Sequence, residues 1–183
     1  PPRPSPGVTP RMFGVGRREA MPAAGILAKA DPEEADGEGI SGRANMVWSV
    51  EHDMPMLGRF GLKAGSPSIR EQSAAAFSGD IGMSTPLFPA PWGDCTELQT
   101  DCVNAPHGDN DERGFEIDDE SLDLVTFYSR NLGVPARRDV DDPEVLRGKQ
   151  VFYEAKCTPC HQPNFVTHRP NNQPEQSFQL SLP

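Results

Sequence analysis

Cys157-Thr158-Pro159-Cys160-His161 is the one run in the chain whose residue types and spacing specify a chemistry. It is a C-x-x-C-H. Two thiols three positions apart match the two vinyl groups along one porphyrin edge, and the adjacent imidazole then falls beneath the iron. The residues therefore predict a covalent c-type haem held by Cys157 and Cys160, with His161 as the iron's protein ligand. Two other chemistries use similar residues. A thioredoxin-like dithiol also carries C-x-x-C, but it follows a buried strand and opens a helix, whereas a polar helix precedes the motif here. A zinc site built from Cys157, Cys160, His161 and His168 has the right donors, yet adjacent Cys160 and His161 cannot easily both reach one tetrahedral ion.

Other reactive types are scattered. His168 follows the motif by seven residues as a further ligand, a propionate contact or a solvated loop residue, while His52 and His107 read as surface. The six methionines (Met12, Met21, Met46, Met54, Met56, Met83) offer thioethers but read first as packing residues. Cys95 and Cys102 enclose six residues. Bacterial c-type haem is attached outside the cytosol, where thiols oxidise, so the pair is expected as a disulfide, free or metal-bound thiols being the alternative. Closing so short a loop contributes roughly 2–3 kcal/mol in the chain-entropy picture. Asp31, Asp36 and Glu38 put hard oxygen donors on a Gly-rich turn, which suits calcium, although the order departs from the EF-hand pattern and a solvated acidic loop is the competing reading. The acidic run from Asp101 to Glu120 reads as a solvated face and helix start, or as a surface for a basic redox partner.

The elements that must position these residues are few. Ser68-Ile69-Arg70-Glu71 has the form of a capping box, Ile69, Ala76 and Phe77 share a face, and Gly79 supplies a stop, predicting a helix over 68–78. A second helix starts at Asp118 or Asp119, carries Leu122, Val125, Tyr128 and Leu132 on one face, and ends at Gly133 and Pro135. A third has Asp142 as its cap and Pro143 in the first turn, runs through Val145 and Phe152, and leads into Cys157. Gly148 in that helix allows something bulky to approach its backbone. Ala23–Ala30 reads as a short helix, and the alternation Met46, Trp48, Val50 as a short strand. Residues 80–117 read as mostly irregular, and 169–183 as polar and unstructured.

Composition agrees with a thin core. Gly (17) and Pro (20) make up about a fifth of the 183 residues, and Leu, Ile, Val and Phe together about another fifth. A net charge of −10 argues against nucleic acid, which attracts a basic surface. No apolar run is long enough to span a membrane. The chain starts Pro1-Pro2-Arg3 with neither Met nor a signal-peptide core, and so reads as a mature or excised piece.

Taken together, several segments resemble the bacterial di-haem oxidoreductases, a family assigned as peroxidases and also labelled thiol oxidoreductases. They are Ala30 to Asn45, Leu57 to Ala64, the Ser68–Phe77 helix, Gly82 to Pro89, the Cys95/Cys102 pair, Leu132 to Arg138, and Arg147 to His161. The segments span nearly the whole chain in the family's order. Members carry two C-x-x-C-H motifs, whereas this chain has only the second and runs 22 residues beyond His161, so it reads as an internal fragment.

The resemblance implies a mainly α fold with extensive irregular loops. A loop-rich inter-domain region over 1–116 would precede a cytochrome c-like helical haem domain over 117–183, incomplete at its C-terminus. It implies an exported, periplasmic electron-transfer domain of a di-haem peroxidase, poorly active alone. Its partners would be a second haem domain or a redox donor, with peroxide or another small molecule as substrate. Arg59, Phe60 and Lys63 would line the haem or the domain interface. A non-catalytic electron-transfer cytochrome and a secreted calcium-stabilised binding module are the alternatives.

Overall fold

Hydrogen-bonding side chains at helix starts explain most of the architecture seen in the computed structural model, which describes residues 9–109, 112 and 114–167. Ser68 caps α3 (Ile69–Ile81), its side chain accepting the amide N–H of Glu71 at 3.1 Å. Asp118 caps α5 (Asp119–Asn131) by accepting from Ser121 at 2.8 Å. Asp142 caps α6 (Pro143–Glu154) by accepting from Glu144 at 2.7 Å. Shorter pieces fill the rest: α1 (Val15–Glu19), α2 (Ala23–Leu27), a 3-10 turn (Leu62–Ala64) and α4 (Thr100–Val103). Among the described residues the fold is thus helices and loops with one small sheet.

Helix α3 outruns its expected stop. It passes Gly79 and ends at Gly82, whose φ of 71° is the left-handed conformation that lets the amides of Gly82 and Met83 turn back to the carbonyls of Ser78 and Phe77. A glycine costs a helix some stability, but only one that takes a positive φ stops it in this way.

The strand at β1 (Met46–Ser49) pairs antiparallel with β2 (Met54–Leu57). Its apolar residues face outward, contrary to the usual sense of alternation: Met46 and Trp48 are exposed, while Ser49 is buried. Glu71 is the reason. Its carboxylate does not return to the Ser68 amide as a capping box would. It accepts the Ser49 hydroxyl and the Val50 N–H instead, fastening the hairpin's polar face to α3.

Helices α1, α3 and α5 pack on one another and enclose the core of Ala20, Phe60, Ile69, Ala74 and Leu122. On α5 the buried stripe is Leu122, Thr126 and Ser129, so the expected apolar face is turned by one position and Tyr128 points to solvent. Charge closes the same contacts. Arg70 of α3 pairs with Asp119 and Asp123 of α5, and Arg130 of α5 pairs with Glu19 of α1. Burial would weaken the protonated form of Arg70, but the surrounding carboxylates outweigh it and raise its pKa. None of the six methionines is buried, and Met12, Met46 and Met54 are exposed.

The acidic stretch is partly internal. Glu116 accepts the amides of Ser84 and Gly108, and Ser84 also bonds to Asp109, so these carboxylates hold two loops together rather than forming a solvated face. Cys95 and Cys102 are joined in a disulfide across 6.2 Å between α-carbons. The boundary expected at residue 116 falls immediately before the helix that packs on α1 and α3. Among the described residues, no helix is long and apolar enough to cross a membrane.

Candidate functional site

The C-x-x-C-H is delivered by the way α6 ends. Lys156 takes a φ of 54°, and the amides of Lys156 and Cys157 turn back to the carbonyls of Tyr153 (3.0 Å) and Phe152 (3.2 Å). This is a Schellman ending with lysine in the place glycine usually takes. It sets Cys157 close behind Phe152. The amide of His161 then donates to the Cys157 carbonyl at 2.9 Å, winding the five motif residues into one turn. The two thiols are free, Cys157 partly buried and Cys160 exposed. Across the turn the Phe152 and His161 rings lie 6.2 Å apart between centroids and 60° from parallel.

His161 lines a cleft of about 490 Å³ whose walls include Arg137, Val145, Gly148, Lys149 and Phe152. That volume lies within the ~300–1,000 Å³ usual for small-molecule and cofactor sites. Gly148 is open on the side where a Cβ would project, with no heavy atom within 4 Å beyond the neighbouring backbone of its own helix. The other side of the motif faces the first part of the chain: Pro159, Cys160 and Phe165 border a cavity of about 360 Å³ together with Ile26, Ile40 and Arg43. Helix α6 itself has no buried residue, and Leu146, Val151, Phe152 and Tyr153 keep between 37% and 51% of their surface exposed. An amphipathic helix with an uncovered apolar side is what a site for a large planar apolar group requires. Two free thiols, an imidazole and an apolar wall fit a haem held covalently on its vinyl edge.

The competing donor chemistries find less support. The motif follows a helix rather than a buried strand, and the two-stranded sheet lies elsewhere. No three His, Cys, Asp or Glu residues among those described converge as a metal site. This holds at the acidic loop too. The carboxylate of Asp31 accepts the amides of Ala35 (2.9 Å) and Asp36 (3.1 Å), and Asp36 accepts the amide of Glu38 (2.9 Å). The carboxylates of Asp31 and Asp36 therefore cap their own loop, and Glu38 contributes a backbone amide to it. The Ala35 and Asp36 amides stabilise ionised Asp31 and lower its pKa. His168 lies outside the described residues, as does 169–183. His52 and His107 are about half exposed, near Glu51 and Asp109.

Arg59 and Phe60 lie away from the His161 cleft. Arg59 donates to the carbonyls of Arg18 and Met21 at the end of α1, and burial lowers its pKa. Phe60 is buried in the core with the Arg18 guanidinium 5.9 Å over its ring. Neither lines the His161 cleft, and Lys63 sits in the 3-10 turn with a φ of 56°. Arg137 and Lys149 are the charged cleft residues that sequence reasoning passed over, because neither belongs to a motif. The lysine's place one residue after Gly148 was the available signal.

A profile of the family described as di-haem oxidoreductase, putative peroxidase, matches residues 7–178. The chain finds no match among curated proteins. It finds none among solved structures.

Proposed function

Because the chain belongs to the di-haem oxidoreductase family, we propose that it binds one c-type haem at Cys157, Cys160 and His161 and serves electron transfer in a peroxidase-type oxidoreductase outside the cytosol. The observation that carries this reading is the union of C-x-x-C-H with an uncovered apolar helix and an adjoining cleft. Cys157 and Cys160 hold the group by thioether bonds, and His161 offers a ring nitrogen to its iron. Gly148 leaves room for the ring, and Phe152 supplies an apolar wall that excludes water from one side. Bound there, haem supplies one-electron chemistry at the iron. The haem-bearing part is a cytochrome c-like unit built around α6, and peroxide or a redox donor is its reaction partner. The Cys95–Cys102 link suits the oxidising compartment in which such haem is attached.

Expression with the c-type maturation machinery tests the proposal. Intact mass should equal the polypeptide plus one haem, and the pyridine haemochrome should have the position typical of two thioethers. Cys157→Ala or Cys160→Ala should move that band to the single-thioether position, and the double change should abolish covalent haem. A product with only the polypeptide mass would overturn the assignment. Peroxide turnover with a high-spin ferric spectrum separates an enzyme from a pure electron carrier.

A further inference from the structure

We propose that Arg137 and Lys149 are the anion-holding side of the His161 cleft and take the carboxylates of its occupant, the haem propionates. The inference rests on the haem reading above and adds the residues that orient the group at its edge away from the thiols.

Two cations come to this cleft from different elements, Arg137 from the connection between α5 and α6 and Lys149 from α6 itself. Lys149 stands four residues after Val145 and three before Phe152, on one helix face. Among the described residues no Asp or Glu lines the cleft, although the chain has 27 acidic residues against 17 basic ones. Among the described residues neither cation makes an ion pair. Arg70 and Arg130, by contrast, are held on carboxylates, and Arg43 and Arg59 on backbone carbonyls. A cleft with one apolar wall, an imidazole and two unpaired cations suits a flat apolar group bearing carboxylates. The guanidinium of Arg137 can grip a carboxylate through two parallel N–H bonds, and Lys149 adds a point charge.

Cations beside the haem disfavour the ferric state, which carries one more positive charge than the ferrous state, so they raise the midpoint potential. The test measures that potential on covalently loaded protein, together with its dependence on ionic strength. Arg137→Gln and Lys149→Gln should each lower it. The double variant should shift the ferric-to-ferrous ratio at fixed potential about tenfold, or ~59 mV for a one-electron couple, with a weaker salt dependence. Arg137→Lys keeps the charge and should fall between the glutamine variant and the parent, which guards against a variant that fails to load. Arg138→Gln removes the same charge one residue away, outside the cleft, and should leave the potential unchanged. An unchanged potential in the double variant, or an equal shift in Arg138→Gln, would overturn the proposal while leaving covalent haem in place. Absence of haem from the parent protein would instead overturn the reading beneath it.

Discussion

Glu71 is only 4% exposed, and both its carboxylate oxygens are used, one by the Ser49 hydroxyl and one by the Val50 amide. Glu71→Ala should cost about 2–3 kcal/mol in denaturant unfolding, because it strands a buried hydroxyl and an amide without an acceptor. Glu71→Gln retains an acceptor and should cost less. Asp31 makes a comparable cap in the open. Amide bonds from Ala35 and Asp36 depress its folded-state pKa below the ordinary 3.8. A depressed acid contributes stability above its unfolded pKa and loses it as pH falls through the folded value. Hydrogen exchange at Ala35 and Asp36, corrected for the intrinsic pH dependence, should therefore keep its protection above pH 3.8 and lose it only below. Asp31→Ala should remove that protection at every pH. Of these two roles, Glu71 was legible only as half of a capping box, because its partners lie 21 and 22 positions earlier.

Among the elements, α5 distinguishes a pattern read from sequence from a packing decided in space. Leu122 is fully buried, while Tyr128, expected on the same face, is 63% exposed. Leu122→Ala should destabilise by about 3 kcal/mol through lost burial and the cavity left behind. Tyr128→Ala should stay within about 0.5 kcal/mol, as exposed positions usually do. Chemical denaturation of the two variants tests this directly, and equal effects would contradict the observed stripe. The apolar periodicity of α5 was a sound signal for a helix, but a turn of that helix by one residue depends on its neighbours. Here Arg70 and Glu19 hold charged residues of α5 and bring Thr126 and Ser129 inward.

Across the molecule, stability is concentrated where α1, α3 and α5 meet. Glu19 alone ties all three, accepting the Ile69 amide at 2.9 Å and the Arg130 guanidinium at 2.6 Å. Helix α6 has no buried residue and joins this core through the exposed stretch from Gly133 to Asp142. Regions with little burial open most readily. Limited proteolysis of the polypeptide without haem should thus cut first within 133–142 and leave a protected fragment ending near Asn131. Mass analysis of early fragments checks this, and early cleavage inside α3 would refute it.

Some features of this protein follow from local sequence alone, since their causes span five residues or fewer. The C-x-x-C-H chemistry is one, because thiol spacing and the neighbouring imidazole are set along the chain. The helix starts at Ser68, Asp118 and Asp142 are others, because a cap acts on amides two or three positions away. The tertiary structure decided which side of β1 is buried, and what Glu71, Glu116 and Arg59 hold. It also brought Arg137 to the cleft that His161 lines. These outcomes depend on which partners long-range packing supplies, and a buried polar group takes whichever partner satisfies it.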